Sequence, residues 1–153
     1  SGCLHRTACG RPHRTPRGAS VRSPLGEYIG MISGTVTELL DAVLSLLVRG
    51  DDGQSQQVEA VIDTGFSGEL TLPHSLVESL GLPWLCRQEG VLADGQLHTF
   101  DVYSATLVWG NDERIVEVES ADIEPLVGMS LLAGNRLTIE VCADGIVKIE
   151  ALA

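Results

Sequence analysis

Short apolar runs that alternate with polar residues, each closed within about eight residues by Gly, Asp or Asn, constrain this chain more than any other feature. Ala42, Leu44, Leu46 and Val48 alternate, Gly50-Asp51-Asp52-Gly53 supplies turn chemistry, and Val58, Ala60 and Ile62 resume the alternation. A period of two places such side chains on one face of a strand, so this stretch predicts a β-hairpin. Leu70, Thr71 and Leu72 predict a further short strand. Residues 74–80, which follow Pro73 and end at Gly81, predict a short helix. Residues 90–103 predict a hairpin with Asp94-Gly95 at its tip, a dipeptide suited to tight turns between twisted strands. Residues 106–109 and 114–119 flank Gly110-Asn111-Asp112 as another hairpin. A helical turn is expected over 130–133, then strands over 137–141 and 146–149 around Ala143-Asp144-Gly145. Seven or so short strands with one or two helical turns predict a compact all-β, barrel-like domain.

With 153 residues and aromatics at only 4%, that domain must build its core from Val, Leu, Ile and Ala. No apolar run approaches the roughly 18 residues of a membrane helix, and no membrane partner is expected. Charge separates the chain into two parts. Residues 1–30 carry five arginines against one acid, whereas residues 31–153 carry five basic residues against twenty acidic ones. So acidic a body repels phosphate backbones, which argues against nucleic acid as a partner. Residues 1–30 are rich in Arg, Pro, Gly and Ser without apolar periodicity, and are expected to be a disordered basic extension. Met31 is then a candidate initiator, and residues 31–153 the folded domain. Within the extension, Cys3, His5, Cys9 and His13 bring four soft ligands together at a spacing that matches no familiar zinc motif, so no metal is assigned. Cys86 and Cys142 lie in apolar surroundings and are expected to be buried thiols; nothing calls for an oxidising compartment, and a cytoplasmic location is expected.

One motif stands out for chemistry. The apolar strand Val58-Glu59-Ala60-Val61-Ile62 runs directly into Asp63-Thr64-Gly65, which sets a carboxylate at a strand end beside the core. Gly65 allows a sharp change of direction there, and the Thr64 hydroxyl can tie neighbouring backbone together. Asp63 is therefore the candidate catalytic residue. His74 and His98 read as solvated residues, and Trp84 and Trp109 as core or dimer-interface residues.

Residues 58–65 resemble the active-site strand and loop of retropepsin-like (clan AA) aspartic peptidases. Leu126-Val127-Gly128-Met129-Ser130-Leu131-Leu132 resembles the family's second element, two apolar residues and a glycine leading into a short helix. The Asp94-Gly95 hairpin falls between the two, where the family has its flap. The resemblance spans about residues 31–153 and is nearest the small bacterial and archaeal branch. It implies an all-β acid-protease barrel with one or two short helices, active as a symmetric homodimer, and an endopeptidase activity that needs no cofactor and no metal. Asp63 would supply one carboxylate of a shared pair, since the chain holds a single Asp-Thr-Gly and no Asp-Ser-Gly. A water activated between Asp63 and its symmetry mate would attack the scissile bond of a peptide or protein substrate. Thr64 and Gly65 would form the active-site loop. Phe66, Ser67 and Gly68, together with Ala93, Asp94 and Gly95 of the flap, would contact substrate, and Leu126, Val127 and Gly128 would brace the loop. Two positions depart from the family: Phe66 stands where a small residue is usual, and the flap is poorer in glycine. A bulky ring beside the carboxylate motivates an alternative, a catalytically silent dimeric module that binds peptides. A weaker possibility is a regulatory protein whose acidic surface docks a basic partner.

Overall fold

The computed structural model describes residues 31–91 and 94–153. Ten strands and two short helices follow one another: β1 Ile32–Val36, β2 Ala42–Arg49, β3 Ser55–Ile62, β4 Leu70–Leu72, α1 His74–Ser79, β5 Trp84–Val91, β6 Leu97–Trp109, β7 Asp112–Ser120, β8 Leu126–Val127, α2 Met129–Leu132, β9 Asn135–Ile139 and β10 Ile146–Ala151. The strands form one sheet in the order β5-β6-β7-β4-β8-β3-β2-β1-β10-β9. β2 also pairs with β6, through Leu47 with Val108, Val48 with Leu107 and Arg49 with Thr106. This pairing closes six strands (β6, β7, β4, β8, β3 and β2) into a barrel. The all-β expectation with two short helices is met.

The alternation read from the sequence becomes the barrel's inner face. Leu44 lies opposite Ala60 and Leu46 opposite Val58 across the β2–β3 pair. All four are buried, and Val48 and Leu107 meet in the core where the barrel closes. Leu70 and Leu72 of β4, Val116 and Val118 of β7, and Val127 of β8 complete the cluster. Each such side chain contributes about 1.5–3 kcal/mol on burial. β4 is buried along its whole length, including Thr71, because it lies between β7, to which it runs parallel, and β8, to which it runs antiparallel.

α1 ends as its sequence requires. Gly81 adopts φ +59°, and the amides of Gly81 and Leu82 donate to the carbonyls of Glu78 and Val77. This places glycine in the left-handed position that closes helices most readily. Gly50 answers a different need. A Cβ there would stand 1.9 Å from the Leu80 carbonyl oxygen, so the β2–β3 turn packs against the end of α1 only with glycine at this position.

Several sequence expectations are corrected. Residues 97–109 form a single strand that serves two hairpins, and β5 starts at Trp84. β9 ends at Ile139, which leaves Val141 exposed in the following turn. Trp109 is buried, but Trp84 is 57% exposed and is no core residue. Cys142 is exposed, and Cys86 is half-buried and disulfide-bonded, so neither is a buried thiol. The basic extension over 1–30, with its Cys3, His5, Cys9 and His13, lies outside the described residues, as do Leu92 and Ala93. No helix of the described residues is long and apolar enough to cross a membrane.

Candidate active site

Asp63 is the first residue beyond β3, and its position is fixed from both sides of the loop it opens. β8 is only two residues long, yet it lies between the strand that enters this loop and the strand that leaves it. Val61 and Ile62 pair in parallel with Leu126 and Val127. Leu70 and Thr71 pair antiparallel with Val127 and Leu126. The parallel ladder continues into the motif, where the Asp63 amide donates to the Val127 carbonyl at 2.9 Å.

Between these anchors the loop folds on itself. The Gly65 amide donates to Asp63 Oδ1 at 2.9 Å, and the Phe66 amide donates to the Asp63 carbonyl at 3.1 Å. A carboxylate that accepts a main-chain amide from its own turn is held in one rotamer. Asp63 is half-exposed, while Thr64, Gly65 and Ser67 are exposed and Gly68 is half-buried.

α2 secures the far side of the loop. The first amides of a helix have no partner within it, and here the loop's carbonyls accept them. Met129 donates to Phe66 at 2.8 Å, Ser130 to Gly68 at 3.1 Å, and Gly128, just before the helix, to Glu69 at 3.0 Å. The Ser130 hydroxyl also donates to the Ser67 carbonyl. Gly128 is the tightest point of this junction. A Cβ added there would meet the Gly68 carbonyl oxygen at 2.1 Å and the Phe66 ring at 2.3 Å. Phe66, only 8% exposed, therefore lies against Gly128 rather than out in solvent.

The second group of expected site residues sits on the β5–β6 hairpin. Val91 pairs with Leu97 at its outer end. Gly95 takes φ +81°, and Asp94 Oδ1 accepts the Gln96 amide at 2.9 Å. Asp94 and Gly95 are exposed; Ala93 lies outside the described residues. At the hairpin's base is a cluster that no sequence pattern announced. Asp101 Oδ1 accepts from the Trp84 indole at 3.1 Å and from Arg87 Nε at 3.3 Å. The indole hydrogen bond and, beyond it, the Arg87 guanidinium hold the Asp101 carboxyl below its usual range, against a smaller opposing effect of burial. His74 is exposed, and its Nδ1 shares a hydrogen bond with the buried Ser120 hydroxyl. Ser130 was likewise missed: its only signal was a serine early in a predicted helical turn.

Chemically, the site offers one oriented, half-exposed carboxylate. One carboxylate can take up or deliver a proton, but it cannot be base and acid in the same step.

No protein-family model matches the sequence, and no curated protein matches it either. Among solved structures, the chain is similar to a retropepsin-like aspartic protease from Rickettsia conorii, with 16% identity, 81% of this chain and 93% of that chain covered, and a TM-score of 0.47.

Proposed function

We propose that the chain is one subunit of an aspartic endopeptidase, with Asp63 as its contribution to a two-carboxylate site. The observation that carries this reading is the fixation of Asp63. Its amide is bound to Val127, its carboxylate to Gly65, and in the loop that follows Phe66, Ser67 and Gly68 are bonded to α2 and Glu69 to Gly128 just before it. The bond to Gly65 is one that turn aspartates commonly make, as Asp94 does; what supports a reacting group here is the added anchoring of the loop by Val127 and α2.

In this reading a second copy brings its own Asp63 opposite the first. Two carboxylates that close share one proton, because both cannot stay ionised. The ionised one draws a proton from a water between them, and the protonated one hydrogen-bonds the scissile carbonyl. Thr64 and Gly65 form the floor beside the carboxylates. Asp94 and Gly95 belong to the hairpin that covers an extended peptide. The inward position of Phe66 withdraws the motive for a silent peptide-binding module, since its ring packs on Gly128.

The test is cleavage of an unfolded protein by the purified chain. We expect pepstatin-sensitive hydrolysis that falls by at least about a thousandfold in Asp63→Asn, the scale on which removing an essential acid–base group acts. Equal cleavage by Asp63→Asn would overturn the assignment.

A further inference from the structure

One row of residues crosses six strands on the side of the sheet that faces away from the core. The registers join Cys86 of β5 to Val102 of β6, and Val102 to Glu119 of β7. Glu119 in turn lies beside Thr71 of β4, Thr71 beside Leu126 of β8, and Leu126 beside Val61 of β3. Paired residues share a face of the sheet. The residues between them, among them Ala105, Val118, Leu70 and Val127, point the other way into the core. At about 4.8 Å per strand the row spans about 24 Å along the sheet. The alternation of β3 carries it from Val61 toward Asp63.

This outward row is not a solvent face. Val102 is 1% exposed although it lies outside the core cluster, and Thr71 is 2% exposed. Gln88, two residues from Cys86 on the same face, is also buried. Glu119 is half-buried, as are Glu117 before it and Glu69, whose carboxylate accepts the Glu117 amide at 3.2 Å. Burial this complete on the outside of a barrel calls for a cover. Carboxylates partly removed from water call for cations in that cover.

The row also begins at a covalent link. Cys86 is disulfide-bonded and Cys142 is free, and the chain's other cysteines are Cys3 and Cys9. We infer that the basic segment 1–30 docks along this row, tethered by a disulfide from Cys86 to Cys3 or Cys9. The segment's five arginines against one acid complement Glu69, Glu117 and Glu119. Reach is no obstacle, because the chain between Cys9 and β1 spans roughly 70 Å when extended. The tether forms by exchange with a small-molecule disulfide. One protein thiolate attacks it and expels a thiol, and the second then displaces the other half. The protein gives up two electrons and two protons, and the reagent leaves as two thiols. On the peptidase reading, on which this consequence alone rests, a segment lying along the row stands in the path of an extended substrate to Asp63.

Peptide mapping of the full chain tests the tether. After incubation with glutathione disulfide, capping of free thiols and digestion without reductant, Cys86 should be recovered joined to Cys3 or Cys9, with Cys142 capped. Trypsin tests the docking. Cleavage after Arg14 and Arg17 should be at least tenfold slower in the oxidised parent than in a Cys86→Ser, Glu117→Gln, Glu119→Gln variant with a melting temperature near the parent's. The parent treated with a dithiol in raised salt should lose the same protection, a comparison that needs no variant. Cys86 recovered capped, joined to Cys142 or joined to a second chain would overturn the inference, and so would equal cleavage after Arg14 and Arg17 in every form. A tethered, protected segment on a chain that cuts no peptide in either redox state would instead overturn the peptidase reading and leave the docking standing.

Discussion

The loop that carries Asp63 and the hairpin that carries Asp94 both project from the same sheet, yet they are held in opposite ways. The loop over 63–69 is fastened at its entry by Val127, at its exit by Val127 and Leu126, and along its length by α2. Among the described residues, the hairpin beyond Val91 and Leu97 is held by its own turn, and the polar contacts at its base are exposed. On the proposed peptidase reading, enclosure suits the loop that would hold the reacting carboxylate, and fewer anchors suit a hairpin that would admit a long substrate. The difference lies in how many neighbours each segment has, not in its length.

The strongest way to break this contrast is Gly128→Ala. The new methyl would occupy space taken by the Gly68 carbonyl and the Phe66 ring. We expect a loss of about 3 kcal/mol, at the upper end of overpacking costs, and, on the proposed peptidase reading, a loss of cleavage as well. Thermal unfolding and peptide hydrolysis on one preparation check both. Phe66→Ala approaches the same junction from the opposite side, by leaving a void. Because its ring sits at the rim of the core, the cost should be about 2 kcal/mol, read from the urea midpoint. Asp101→Asn sharpens the hairpin side and should do least. A folded-state pKa below the ordinary value means that ionised Asp101 stabilises above its unfolded pKa, and that this is lost as pH falls through the folded value. Since the group is more than a third exposed, screening limits the effect to about 0.5 kcal/mol. Parent and Asp101→Asn should therefore differ slightly at neutral pH and converge in acid, as followed by melting temperature against pH.

Where periodicity was strong, the sequence was easy to read. Alternating Leu and Val over 42–62 announced β2 and β3, and Gly81 announced the end of α1, because each reflects a local rule. β1 escaped notice because Gly34 interrupts its short run. That glycine is required by a neighbour: a Cβ would lie 2.2 Å from the Val43 carbonyl oxygen. The end of β9 was misplaced because Val141 has the right character for a strand, whereas β10 and the turn over 140–145 decide where pairing stops. In the candidate site, the placement of Asp63 at the end of β3 was legible from the sequence, but the direction of Phe66 was not. Only the approach of Gly128, some sixty positions later in the chain, shows that the ring has room on the inside. The Trp84–Asp101–Arg87 cluster was hidden for a similar reason, since its members meet only through the register of β5 on β6.

The pairing of β2 with β6 carries a kinetic consequence. Three residue pairs join positions 47–49 to positions 106–108, and nothing nearer in sequence can substitute for them. The intervening chain must first organise as hairpins before so small a contact can hold its ends together, because loop entropy is spent before non-local pairs return it. Closure of the barrel should thus be a late event in folding. Until it occurs, β2 and β6 present unpaired edges, the moment at which newly made chains of this protein are most exposed to one another.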